Sequence, residues 1–112
     1  MPEVAISGDR RSRKRYSLRL PLEYSAIVAP GQVTGGIGTS VDLSSTGICF
    51  RTAADLPVGS YLQISVAWPA RDGRNVVLWL TGFVVWCSGF SVGVSVTSRT
   101  FRPVVGEVFN VQ

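Results

Sequence analysis

The sequence contains no histidine. That removes the commonest general base and the commonest neutral metal ligand, and it weakens any enzymatic reading. Cysteine is almost as scarce, with Cys49 and Cys87 the two present. They do not make a disulfide framework, and neither falls in a C-x-x-C pair of the metal-binding kind. Half-buried free thiols in a reducing compartment are the expectation. No apolar run approaches the roughly eighteen residues of a membrane span. The N-terminus turns from polar to basic with no apolar run behind it, which argues against a secretory signal. Paired carboxylates and a Gly-rich phosphate loop are also missing, so no catalytic residue is assigned and no metal or cofactor is expected. Nor does any window carry a convincing 3.6-residue apolar stripe over ten or more residues, which leaves helices without support.

What is present reads as strands. Of the 112 residues, 46% are hydrophobic, enough for one modest core and too apolar for a disordered chain. In "GSYLQISVAWP", Leu62, Ile64 and Val66 fall on one face while Gln63 and Ser65 fall on the other. "PLEYSAIVAP" is β-favouring and bounded by prolines, "GGIGTSVDLSS" follows a Gly-rich turn, and "GICFRT" leaves a polar cluster. "ARDGRN" holds the Asp-Gly pair of a hairpin. "VVLWLTGFVVWCSG" and "FSVGVSVTS" are two further strands separated by Cys-Ser-Gly. Short strands with such punctuation predict a small antiparallel barrel or sandwich of about six strands. Gly82, Gly89 and Gly93 are placed to form bulges or bends that close it. The large side chains of Trp68, Trp79 and Trp86 are expected in the core or at its rim.

The net charge of +4 is concentrated. Residues 10–19, "RRSRKRYSLR", carry six positive charges and no negative one, whereas five arginines balance five acids from residue 20 onward. A local cationic segment concentrates anions and speeds their arrival, although a solvated arm without a partner would look the same. R-x-x-x-R occurs twice within it, as Arg11 with Arg15 and as Arg15 with Arg19. Guanidinium is permanently charged, planar and forked, so it grips phosphate and stacks on bases. In an extended chain, residues four apart project to one side about 13 Å apart, which suits a ligand longer than one phosphate.

"SVDLSSTGICF" holds a second constellation, Asp42-Leu43-Ser44-Ser45-Thr46-Gly47. A carboxylate there can accept two hydrogen bonds from the N1–H and N2–H edge of guanine, an edge adenine lacks. Serine adds an adjustable donor or acceptor, and glycine admits close backbone approach. The plain alternative is an Asx or Ser/Thr turn whose side chains bond their own backbone.

An R-x-x-x-R arm followed about two dozen residues later by D-x-S-x-x-G resembles the PilZ domain family, the bacterial receptor modules for cyclic di-GMP. "RLPLEY" is similar to the family's first strand, "DLSSTGICFRT" to the stretch into its third, "LPVGSYLQISV" to a segment with Pro-x-Gly before a strand, and "LTGFVVW" with "GVSV" to its closing strands. The resemblance covers roughly residues 13–98. It implies an all-β, six-stranded antiparallel barrel of split-barrel type with a flexible basic arm that folds over the ligand. The expected divisions are a disordered stretch 1–9, an arm 10–21, a barrel 22–100 and an ambiguous tail 101–112. The family often ends in a helix, which "FRPVVGEVFNVQ" is too short and too rich in Val, Pro and Gly to promise.

Carried over by position, the resemblance assigns Arg15 and Arg19 to the guanine O6/N7 edge, to stacking on the purine and to phosphate. Arg11 with Arg15 is the rival register. Asp42 and Ser44 would bond a guanine, Gly47 would leave room, and Lys14 would reach a second phosphate. The implied function is a cytoplasmic, non-catalytic cyclic di-GMP sensor with a downstream protein partner, no DNA or RNA and no membrane insertion. The alternatives are a degenerate adaptor working by protein contact and a small nucleic-acid-binding barrel using the arm and aromatics.

Overall fold

The computed structural model describes residues 15–69 and 75–103. Arg11, Lys14, residues 1–9, the Asp72-Gly73 turn and the segment from residue 104 lie outside the described residues. Within them run six strands: β1 (Pro21–Ala29), β2 (Gln32–Leu43), β3 (Gly47–Arg51), β4 (Tyr61–Pro69), β5 (Asn75–Ser88) and β6 (Ser91–Pro103). Every pairing is antiparallel, and no described residue is helical. The order β1-β2-β3-β6-β5-β4 returns to β1 through its ladder with β4, so the sheet forms a closed ring.

Alternation explains which faces turn inward. In β1, Leu22, Tyr24 and Ala26 are buried while Glu23, Ser25 and Ile27 are exposed. β4 repeats the pattern with Leu62, Ile64 and Val66. Strands of period two that enclose a space must line it with one set of side chains, here Phe50 at the centre with Leu78, Leu80, Val84, Val92 and Val94. From the β3–β4 connection Leu56 also enters this core. Each such side chain contributes about 1.5–3 kcal/mol on burial. A polar thread inside runs from the Tyr24 hydroxyl to Thr52 Oγ1 at 3.0 Å and from Thr52 to the Ile37 carbonyl at 3.0 Å.

Four register shifts break the ladders: between Ile27 and Ala29, between Ser40 and Asp42, between Thr81 and Gly82, and between Val84 and Trp86. Gly82 borders one shift, Gly93 faces another across the β5–β6 ladder, and Gly89, with φ of 60°, makes the turn between those strands. The expected roles of these three glycines therefore hold.

Several expectations are corrected. The turn before β2 is Pro30-Gly31, with Gly31 at φ of 76°, and Gly35 and Gly36 lie within the strand. β6 runs to Pro103, past residue 100, because Val76, Val77 and Leu78 continue to pair with Pro103, Arg102 and Phe101. Trp68 does pack on the core edge, 5.4 Å from the Phe101 ring centroid. Trp79 and Trp86, however, lie on the outer face, 39% and 44% exposed. Trp79 sits between inward Leu78 and Leu80, so alternation itself turns it out, while Trp86 is turned out by the shift after Val84. Cys49 is half-buried, but Cys87 is exposed beside the β5–β6 turn.

Candidate functional site

Between Ser40 and Asp42 one residue, Val41, has no partner on β3: Ser40 pairs with Phe50 and Asp42 with Cys49. Ser40 faces inward, so strict alternation would bury Asp42 too. The extra residue reverses the parity, turning Asp42 outward and Leu43 into the core. The same device acts on β5, where Val84 pairs with Val94, Trp86 pairs with Gly93 and Val85 is the extra residue. Asp42, Cys49, Gly93 and Trp86 consequently form one outward row across β2, β3, β6 and β5. Three strand spacings separate its ends, about 14 Å.

That row is the floor of an open groove of about 220 Å³. Arg15, Asp42, Ser44, Thr46 and Gly47 line one end, while Val85 and Trp86 line the other. Gly93 permits this shape: a Cβ there would collide with the Trp86 indole, which lies over the glycine backbone.

The basic arm reaches the groove through backbone pairing. Tyr16 and Leu43 exchange two hydrogen bonds, N to O distances of 2.8 and 2.9 Å. Ser40 accepts the Leu20 N–H on its hydroxyl at 2.9 Å, donates that hydroxyl to the Leu18 carbonyl, and gives its own N–H to the Leu20 carbonyl at 2.9 Å. A buried hydroxyl thus fixes the arm to β2. Held in this way, Arg15 places Nη1 3.5 Å from Asp42 Oδ1, an ion pair whose arginine is 73% exposed and whose aspartate is 27% exposed. A pair this open to water contributes little to stability.

The corner after Asp42 is a tight turn. The Ser44 N–H donates to the Gly47 carbonyl at 2.9 Å, and Ser44 Oγ accepts the Thr46 N–H at 3.3 Å while lying 3.5 Å from the Gly47 carbonyl. The polar cluster thus divides into two uses. Ser40 and Ser44 serve the backbone, whereas Asp42 faces the arm. Gly47 sits where a side chain would press the Val94 carbonyl.

Of the residues assigned from the sequence, Arg15, Asp42, Ser44 and Gly47 come together at one end of the groove. Arg19 is exposed and does not line it, and Arg11 and Lys14 lie outside the described residues. Sequence reasoning missed Trp86 as a groove wall and Arg51 altogether. Arg51 is exposed on β3, two residues from Cys49 on the same outer face, and its charge is felt there. Burial pushes the Cys49 thiol above its ordinary pKa and the Asp42 carboxylate adds to this, while Arg15 and Arg51 pull it down. Among the described residues no cluster of acids and thiols is arranged to hold a metal ion, and no helix is long and apolar enough to cross a membrane.

An all-β ring with a cationic arm laid beside an acidic corner, over an open groove, defines a surface binding module. The family model of the PilZ domain matches residues 9–103, and the chain belongs to that family. It is a family of cyclic di-GMP-binding modules that are generally non-catalytic. No curated protein and no solved structure gave a significant match to the chain.

Proposed function

We propose that this domain is a non-catalytic cyclic di-GMP sensor that takes its ligand in the groove between Arg15 and Trp86. The observation that carries the reading is the Arg15–Asp42 contact of 3.5 Å, which brings the two distant motifs of the sequence to one place. In this reading Asp42 accepts the N1–H and N2–H edge of a guanine. Arg15 leaves the carboxylate to stack on the base or hold a phosphate, an exchange made easy by the weakness of an exposed pair. Arg19 joins from the same arm as it closes over a PilZ-like split barrel, with Lys14 or Arg11 reaching further phosphate oxygens. Trp86 offers an aromatic face at the far wall, and Arg51 a cation beside the floor. The change in the arm's surface is what a downstream protein reads in a bacterial cytoplasm.

The Ser44 hydroxyl, already engaged within its own turn, favours the second reading, an adaptor that has kept the fold and works by protein contact. Calorimetric titration separates the two. Cyclic di-GMP should bind saturably, with GMP, cyclic di-AMP and an oligonucleotide each much weaker. Removing a charged hydrogen bond worth about 1.5–3 kcal/mol with Arg15→Ala or Arg19→Ala should raise Kd by roughly ten- to more than a hundredfold. A folded wild-type protein that takes up no cyclic di-GMP would leave the adaptor standing. Equal oligonucleotide affinity that falls steeply with salt would instead mark a nucleic-acid binder.

A further inference from the structure

β2 spans Gln32–Leu43, but it pairs with β3 only from Thr39 onward. Its first seven residues, Gln32–Gly38, are bonded to β1 on one side. Among the described residues no strand pairs with their other side. Backbone direction there follows from two bonds. The Ser40 N–H points to Leu20, on the β1 side, and the Ile37 carbonyl receives the Thr52 hydroxyl on the opposite side. Because direction alternates along a strand, Val33, Gly35 and Ile37 all aim their N–H and C=O groups at the open edge, the Ile37 carbonyl there already accepting the Thr52 hydroxyl on one lone pair.

Such an edge is normally guarded by charge, proline or a bulge. β6 supplies the contrast within this same molecule. Among the described residues its outer half beyond Val96 is also paired with a strand on one side only, and it carries Arg99, Arg102 and Pro103. The open edge of β2 carries no charge and no proline. Val33 and Ile37 project from the outer face at 65% and 74% exposure, with Gly35 between them. Val33 also stands at the end of an apolar row that runs through Ile27 and Tyr61 to Phe83.

We propose that this edge pairs with the same edge of a second copy of the chain, antiparallel and centred on Gly35. A two-fold axis through Gly35 sets Val33 opposite the partner's Ile37, and Ile37 opposite the partner's Val33. The two contacts are identical, as an isologous interface requires. The five-residue span from Val33 to Ile37 pairs with itself, and the apolar row of one copy extends onto the partner's Ile37. Charge decides between the possible strand partners: β2 on β2 brings no charged side chain into the ladder, whereas β2 on β6 would bury two arginines of a cationic chain against it. Seven residues a side is well under the roughly 20–30 of a standard interface, so the dimer is weak and depends on concentration.

Sedimentation velocity of the full chain over a roughly hundredfold concentration range tests this by mass action. Wild type should move from monomer to dimer. The double substitution V33K/I37K sets like charges opposite each other twice and should raise the dimer dissociation constant at least about tenfold. V33K/I37E sets opposite charges together in the same register and should retain the dimer. Binding of cyclic di-GMP, whose proposed groove these positions do not line, checks that each variant is intact where wild type binds it, and circular dichroism does so otherwise. A wild type that stays monomeric throughout, whether its edge is free or covered by its own chain, overturns the proposal. So does equal dimerisation of the two double variants.

Discussion

Asp42 and Trp86 face one groove because each follows an extra strand residue, Val41 and Val85, that reverses the alternation behind it. Were Val41 and Val85 to take ordinary places in strict alternation, the acid and the indole would both point into the core. The outer surface of β3 and β6 would then be a plain floor with neither wall. The polarity of the site is thus made by backbone register as much as by the side chains themselves.

Gly93 should be the residue least able to change without altering the far wall. Gly93→Ala places a methyl group where the Trp86 indole lies. The indole must move, at a cost of about 1–3 kcal/mol for the crowding. Urea unfolding will show this loss, and it should largely vanish in a Trp86→Ala background. A loss that persists without the indole would mean that Gly93 matters for the strand rather than for the wall.

Ser40 should control the arm. Ser40→Ala leaves the Leu18 carbonyl and the Leu20 N–H without their hydroxyl partner, a loss of about 1–3 kcal/mol. Hydrogen exchange should quicken at Tyr16, Leu20 and Leu43 while the β4–β5 ladder stays protected. Weaker ligand uptake should accompany it, because Arg15 is delivered by that same attachment.

The two thiols should report the charge of the groove. Cys49 is held above its ordinary pKa by burial first and by Asp42 second, so it remains the unreactive thiol form to higher pH. Alkylation followed by mass spectrometry should therefore reach exposed Cys87 first. Asp42→Asn removes an upward influence, so the pH profile of Cys49 alkylation should shift to lower pH. Arg15→Ala removes a downward influence and should shift it to higher pH. Profiles that do not separate in these opposite directions would contradict the arrangement of charges around Cys49.

The strands themselves were readable in the chain. β1 and β4 alternate cleanly, and turn residues bracket both, so their inner faces follow from local pattern alone. The meeting of the basic arm with the acidic corner was suggested by two motifs and by a family resemblance, though neither motif alone distinguished a binding corner from a simple turn, and the direct Arg15–Asp42 contact was not anticipated. Ser44 turned out to serve the turn. Trp86 was misplaced because "FVVWC" gives no local sign that Val85 is extra; that depends on which residues of β6 lie opposite, a long-range fact. Arg51 passed unnoticed for a similar reason. It is an ordinary strand-end arginine until β3 is set beside the groove floor. Gly35 and Gly36 look like a turn locally, and their place inside β2 comes only from the partner strand β1.

β3 is only five residues long, yet among the described strands it joins β2 to β6 and so completes the circuit. It is the narrowest seam in the wall, and Cys49 at its middle is also part of the groove floor. A molecule lying from Asp42 to Trp86 would cross that seam like a rivet. Occupancy would then register as a tightening of the whole cylinder at its thinnest joint, felt on the side away from the ligand as well as beneath it.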